Sequence, residues 1–162
     1  MPRSSLAALL GALAFAGTAN AAVLNESNLS SADAQKLAAA TVAACQAKGY
    51  NVSASVVDRA GLLKAFARAD NAGPHTIEAS RAKAFTAASA KTPTLAIMEN
   101  AQKNPVAANL TDIPGFLLLG GGVPVKAGDT VIGAIGVAGA PGGHLDAQCA
   151  DAVLADNAAL FK

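Results

Sequence analysis

The residues best suited to hold a metal are the chain's two histidines, His75 and His144. Each follows a glycine-containing turn, Gly73-Pro74 or Gly142-Gly143, and each stands at the start of a predicted helix. Neutral imidazole is a strong ligand for iron and other transition metals. Both side chains are therefore candidates for a ligand site, and His75 is the candidate metal ligand. The alternative for His75 is an exposed position at a helix N-terminus, and for His144 a glycine pair that only reverses the chain.

Other groups near the histidines could help to hold such a ligand. Arg81 and Lys83 lie on the helix that follows His75, and their cations can meet the carboxylates of a ligand. The hydroxyl of Thr76 is a weaker candidate. The backbone amides of Gly142, Gly143 and His144 open a helix and could receive an anion.

The segment Gly120–Asp146 is rich in glycine yet keeps the apolar order of strands. VPVKA and TVIGAIGVAG are two strand signals, and a turn at Ala127-Gly128-Asp129 joins them. The glycine spacing is neither GxGxxG nor a phosphate-binding loop, which excludes the usual nucleotide sites. Gly121 and Gly122 either let the chain turn tightly or let a flat ligand approach the backbone.

Residues for catalysis are few. The chain has no GxSxG nucleophile motif, and no histidine is placed to activate a serine. Asp58, Asp70 and Glu78 could perform acid–base chemistry only if the fold gathers them. We expect Asp58 instead to cap a hairpin turn and Asp70 to lie in a loop.

Residues 1–21 are predicted to be a secretory signal peptide, followed by a single domain over residues 22–162. Pro2 and Arg3 precede the twelve apolar residues Leu6–Gly17, and Ala19-Asn20-Ala21 offers a cleavage site. Twelve residues are too few to span a bilayer, which needs ~20, so no membrane span is expected. The alternative is an apolar first helix of the domain. We expect the mature protein to be secreted or periplasmic.

The charge of the mature chain excludes an ordinary nucleic-acid binder. Without Arg3 it has eleven basic residues against eleven acidic ones, a formal net charge of zero. Cys45 and Cys149 are too far apart for a CxxC motif. They form either a disulfide, favoured by an oxidising compartment, or two buried thiols.

The order of predicted elements is α-β-β-α-α-β-β-β-α. It indicates an α+β domain with a five-stranded, mainly antiparallel sheet. The third strand of this prediction is the apolar run FLLLG at Phe116–Gly120. Such a sheet has two edges that must be covered or paired, which favours a homo-oligomer.

Three blocks of the sequence, taken in series, resemble the GlcG/HbpS family of haem-binding and related small domains. They are VVDRAGLLKAFARADNAGP, EASRAKAFTAASAKTPT and IPGFLLLGGGVPVKAGDTVIGAIGVAGAPGGHLDAQCA. The family is related to the C-terminal domain of some cobalamin adenosyltransferases. The resemblance covers roughly residues 31–161 and implies profilin-like α/β/α layers that often assemble into oligomers.

The resemblance also implies a function. We expect an exported protein that binds haem, or another small planar tetrapyrrole, and either scavenges the ligand or reports it to a sensor protein. Two alternatives stay open: an exported small-molecule enzyme of unknown reaction on the same scaffold, and a module whose oligomeric assembly is itself the function.

Overall fold

The computed structural model describes residues 23–161, so the predicted signal peptide lies outside the described residues. Four helices and four strands form the framework: α1 (Ser31–Gln46), β1 (Ser53–Asp58), β2 (Leu63–Arg68), α2 (Thr76–Ala90), α3 (Thr94–Lys103), β3 (Gly122–Ala127), β4 (Thr130–Ala138) and α4 (Gly143–Asp156). Two 3₁₀ helices, Pro105–Asp112 and Ala158–Phe161, complete the described chain. No helix within residues 23–161 is both long and apolar enough to cross a membrane.

All four strands pair antiparallel in the order β2-β1-β4-β3. Because side chains alternate along a strand, the two faces of β1 meet different helices. Ala54 and Val56 belong to an apolar cluster that includes residues of α1 and α4. Ser53 and Ser55 face α2 instead, through hydrogen bonds to its hydroxyls. The sheet therefore lies between two helical layers.

The predicted α+β class is confirmed, but the prediction of five strands is wrong. Phe116–Gly120 does not form a strand. Its backbone groups bind threonine hydroxyls: Leu117 N donates to Thr86 Oγ1 (2.9 Å), and Leu119 O accepts from Thr94 Oγ1 (2.6 Å). A short apolar run is compatible with a strand or with a segment packed on helices, and here α2 and α3 supply the partners that a sheet neighbour would have supplied.

Local signals set the ends of several elements, and the Asp58 turn is one that the sequence predicts. Ser30 caps α1, since its hydroxyl accepts from Asp33 N at 3.1 Å. Asp58 caps the hairpin turn between β1 and β2, because its Oδ1 accepts from the amides of Ala60 and Leu62, both at 2.9 Å. Most of the stretch from Asn104 to Pro114 forms the first 3₁₀ helix.

Cys45 and Cys149 form a disulfide, which decides between the two alternatives that the sequence leaves open. Their Cα atoms are 5.4 Å apart, within the usual range for a bridge. The bond joins α1 to α4 on one side of the sheet. It therefore ties the first α-helix of the described chain to the last α-helix.

Candidate functional site

The candidate site is a cleft of ≈ 350 Å³ at the end of the sheet where β4 ends and where α2 and α4 begin. Part of its wall is the loop that joins β4 to α4. The rest comes from α2, from α3 and from the chain before β3. Its lining residues are His75, Ala79, Lys83, Leu95, Met98, Leu119, Gly120, Ala138, Gly139, Ala140, Pro141, Gly142, Gly143, His144 and Asp146.

Both histidines of the chain line this cleft. His75 precedes the first residue of α2, and His144 is the second residue of α4. Both are exposed, and each imidazole folds back over the glycine two positions earlier. A Cβ at Gly73 would lie 2.7 Å from Cε1 of His75, and one at Gly142 would lie 2.8 Å from Cε1 of His144. The absence of a side chain at these glycines therefore lets each ring take its position.

A buried ion pair lies in the lining between the two helices. Lys83 Nζ donates to Asp146 Oδ2 at 2.9 Å and to Val137 O at 2.9 Å. The two residues are only 4% and 3% exposed. Asp146 Oδ1 also accepts from Ala140 N at 2.9 Å. Burial raises the pKa of the Asp146 carboxyl above its ordinary value, although the Lys83 ammonium acts in the opposite direction.

Gly121 and Gly122 do not leave open space for a ligand. At Gly121, where φ is +119°, a Cβ would lie 2.5 Å from Val137 O and 3.0 Å from Lys83 Nζ. At Gly122 a Cβ would lie 2.4 Å from Lys83 O. Neither residue lines the cleft, whereas Gly120 does. Gly122 therefore allows α2 to approach the sheet closely, whereas Gly121 leaves room for the β4 backbone and for Asp146 of α4. The role predicted for both glycines toward a ligand stays a prediction.

Thr76 and Arg81 lie on α2 but outside the cleft lining. The Thr76 hydroxyl is buried, donates to Gly73 O at 2.6 Å and is 2.7 Å from Ser53 Oγ. Arg81 Nε donates to Glu78 Oε2 at 2.9 Å on the exposed surface. Of the three α2 residues that the sequence places beside His75, only Lys83 reaches the cleft. The roles predicted for Thr76 and Arg81 toward a ligand stay predictions.

The acidic residues considered for catalysis are dispersed. Asp58 and Asp70 stand at opposite ends of the β1–β2 hairpin, since Asp58 ends β1 and Asp70 follows β2. Glu78 is exposed and paired with Arg81. None of the three lines the cleft. The described residues thus offer no observation in favour of the acid–base alternative.

Sequence reasoning did not single out Asp146, Leu95 or Met98. Asp146 stands in the first turn of α4, where an acidic residue is expected merely because it complements the helix dipole. Its contact with Lys83 joins positions far apart in sequence, so no local signal reveals it. Leu95 and Met98 lie on one face of α3, three positions apart, but the sequence does not indicate what that face covers.

A second cleft, of ≈ 400 Å³, lies at the opposite end of the sheet. It is lined by Arg59, Lys91, Lys126, Asp129, Thr130 and Val131. Lys91, Lys126 and Asp129 are exposed there, Arg59 is paired with Glu26 at 3.1 Å, and neither histidine lines this cleft. The smaller cleft is therefore the better candidate, because it brings together buried charge, apolar surface and both imidazoles.

Fold and site together define a small α+β protein with a four-stranded sheet between helices and a histidine-lined cleft at one end of the sheet. The chain belongs to the family described as haem degrading protein HbpS-like, whose model matches residues 29–155. This confirms the family resemblance noted in the sequence. In a curated relative, protein GlcG from Escherichia coli strain K12, 107 aligned residues are 36% identical, and they cover 64% of this chain and 78% of GlcG.

Solved structures show the same likeness. The crystal structure of HbpS is 42% identical and matches with a TM-score of 0.77 over 83% of this chain and 93% of HbpS. The crystal structure of a PduOC haem complex is 25% identical and matches with a TM-score of 0.71 over 79% of this chain and 94% of that protein. The shared architecture thus extends to a protein that was crystallised with haem.

Proposed function

We propose that this chain is an exported haem- or tetrapyrrole-binding protein that takes its ligand in the histidine-lined cleft. The observation that carries the proposal is that the fold brings both histidines of the chain to one cleft. Membership of the HbpS-like family and the likeness to the PduOC haem complex support it. In this proposal the protein either scavenges the ligand or presents it to a sensor protein.

The residues of the cleft fit such a ligand in chemical type. Imidazole nitrogens from His75 and His144 are available for iron, and Leu95, Met98 and Leu119 provide apolar surface for a flat macrocycle. The volume of ≈ 350 Å³ lies near the lower end of the ~300–1,000 Å³ typical of small-molecule sites. A bound haem would supply an iron that accepts an imidazole nitrogen, and His75 is the residue that we assign to it.

Carboxylates of the ligand have a candidate partner at the start of α4. The first amides of a helix have no partner within the helix. Those of Leu145 and Asp146 donate to Gly142 O at 2.9 and 3.1 Å, which leaves the amides of Gly143 and His144 for a ligand. The Lys83 ammonium already contacts the Asp146 carboxylate, so we assign it to the wall of the cleft and not to a direct contact with the ligand's carboxylates.

Titration of the mature protein with haemin tests the proposal. We expect a shifted Soret band that saturates at a fixed stoichiometry. His75→Ala should alter the position of the band or weaken binding at least tenfold, because it removes the iron ligand. Ile77→Ala is the matched control, since Ile77 is exposed on the same helix and lies outside the cleft lining. A spectrum that never saturates would contradict haem binding, whereas an unchanged band in His75→Ala would contradict only the ligand assignment.

Export is the second part of the proposal. The Cys45–Cys149 disulfide suits an oxidising compartment, and the N-terminal sequence carries the signal-peptide pattern. Expression of the full chain followed by intact-mass analysis of the secreted or periplasmic fraction should give a protein that begins at Ala22. Retention of residues 1–21 in that fraction would contradict cleavage at this site.

Homo-oligomerisation is the third part. β2 is an edge strand, and it exposes Leu63 and Phe66, which are 51% and 41% exposed. An exposed edge with apolar side chains is a surface that proteins cover or pair. Native mass spectrometry of the mature protein should give a defined multiple of the chain mass, and a monomer at micromolar concentration would contradict the assembly.

A further inference from the structure

The buried ion pair joins the two helices that carry the histidines. Lys83 lies on α2 about two turns after His75, and Asp146 lies on α4 two residues after His144. Their contact of 2.9 Å is therefore a direct link between the two sides of the cleft. A shift of either helix along its axis would break this link.

The same two side chains also hold the loop that forms the cleft wall. Lys83 Nζ donates to Val137 O near the end of β4, and Asp146 Oδ1 accepts from Ala140 N in the loop. The chain from Val137 to Ala140 is thus attached at both ends to one ion pair. The residues that follow, Pro141 and Gly142, lead directly to His144.

Burial of the two charges of this ion pair carries a free-energy cost. A buried ion pair commonly adds no net stability over apolar residues of similar volume, because both ions lose their hydration. The chain also has no side chain at Gly121, where a Cβ would lie 2.8 Å from Asp146 Cβ and 3.0 Å from Lys83 Nζ. Stability alone therefore does not explain the pair, whereas its position at the cleft suggests a role there.

We propose that Lys83 and Asp146 are positioning residues that hold the loop from Gly139 to Gly142 and the start of α4, so that His75 and His144 face one ligand. The most important contact in this proposal is the hydrogen bond that Ala140 N donates to Asp146 Oδ1, because it holds the loop directly. The effect on the ligand rests on the haem-binding function proposed above. The effect on the loop does not.

Two double variants separate the loop contact from the charges. Lys83→Met with Asp146→Asn removes both charges and keeps an oxygen that can accept from Ala140 N. Lys83→Met with Asp146→Leu removes that acceptor as well. In the leucine variant we expect the Ala140 amide to exchange with solvent at least tenfold faster than in the asparagine variant, and haem to dissociate about tenfold faster, as expected for the loss of one buried hydrogen bond. Asp156→Asn, an exposed change at the end of α4, is the control that should alter neither rate.

The two readouts distinguish the failure of this proposal from the failure of the proposed function. Equal exchange rates of the Ala140 amide in the two double variants would overturn the role of the pair, regardless of the haem dissociation rates. Different exchange with equal haem dissociation would overturn the link to the ligand. A wild-type protein that binds no haemin would contradict the proposed function. The amide-exchange test of the loop would still apply, because it does not depend on haem. If the leucine variant does not fold, the wild type decides: an Ala140 amide that exchanges at its unstructured rate would overturn the proposal.

Discussion

The two faces of the sheet carry different kinds of side chain. The face toward α1 and α4 is apolar and contains large branched side chains such as Leu37, Val56 and Ile135, together with the disulfide. The apolar cluster on the face toward α2 is small: Val57, Ala84, Ala87, Ala88 and Ala134. Next to it lie hydrogen-bonded hydroxyl pairs and the Lys83–Asp146 ion pair.

The spacing of the two layers explains the difference. On the α2 face a Cβ at Gly136 would lie 2.0 Å from Ser80 O and 2.4 Å from Ala84 N, so the helix backbone rests almost directly on β4. Large side chains do not fit at such a distance, and short hydroxyls satisfy one another across it. We infer that the α1/α4 face provides most of the stability. The close approach and the hydrogen bonds on the α2 face hold that helix at a fixed position on the sheet. The candidate site lies at one end of this face.

The largest effect that we expect is on the apolar face. Replacing both cysteines, Cys45→Ala with Cys149→Ala, should lower the free energy of unfolding by about 4–5 kcal/mol, because the closed loop is about 100 residues long. Chemical denaturation of oxidised wild type and variant measures this difference. Haemin affinity under folding conditions should be unchanged, since neither cysteine lines the cleft. A matching loss of affinity would show that the two faces are not independent.

A somewhat smaller effect is expected from filling the narrow gap on the α2 face. Gly136→Ala should lower the free energy of unfolding by about 3 kcal/mol, because the new methyl group meets backbone atoms that cannot move without shifting the helix. Gly128→Ala is the control: a Cβ there meets nothing within 4 Å, although φ is +56°, so only a backbone cost of about 1 kcal/mol is expected. Equal losses in the two variants would contradict the close approach of α2.

The hydrogen bond between Ser55 and Ser80 predicts that replacing each serine by alanine lowers the free energy of unfolding by a different amount. Ser80 Oγ donates to Ile77 O at 2.9 Å, so its single hydrogen is used and Ser55 must be the donor of the 2.8 Å contact between them. Ser80→Ala therefore leaves a buried donor without its acceptor and should cost about 2 kcal/mol, whereas Ser55→Ala leaves Ser80 bonded and should cost about 1 kcal/mol. Thermal or chemical denaturation compares them, and the reverse order would contradict this assignment.

The smallest effect is expected on the solvent side of α2. Arg81→Ala removes an exposed ion pair with Glu78 and should change the free energy of unfolding by less than about 0.5 kcal/mol. Because Arg81 lies outside the cleft lining, haemin affinity should stay within about twofold of wild type, the change expected for a charge that touches no ligand. A tenfold loss would instead support the contact between Arg81 and a ligand carboxylate that the sequence predicts.

The sequence predicts most of the local structure because its signals are local. The turn capped by Asp58 and the helix that begins after His75 both follow from neighbouring residues. Phe116–Gly120 was predicted as a strand because an apolar run does not reveal its partners, and those partners are threonines on two helices.

For the site, the sequence identifies the groups but not their arrangement. The motifs Gly73-Pro74-His75 and Gly142-Gly143-His144 single out both histidines, and the structure places both at the cleft. Lys83 was singled out for a ligand, whereas its ammonium contacts Asp146, a partner that depends on how α2 and α4 meet. Long-range contacts of this kind follow from the packing of the layers, which no local pattern encodes.

Amide chemical-shift mapping would locate the ligand directly and so test the proposal that it binds in the histidine-lined cleft. Gallium protoporphyrin IX, a diamagnetic substitute for haem, would be added to isotope-labelled mature protein. We expect the largest shifts at Gly120, at the loop Gly139–His144 and at the start of α2. Shifts confined to the β2 edge or to the charged cleft near Arg59 and Lys126 would contradict it.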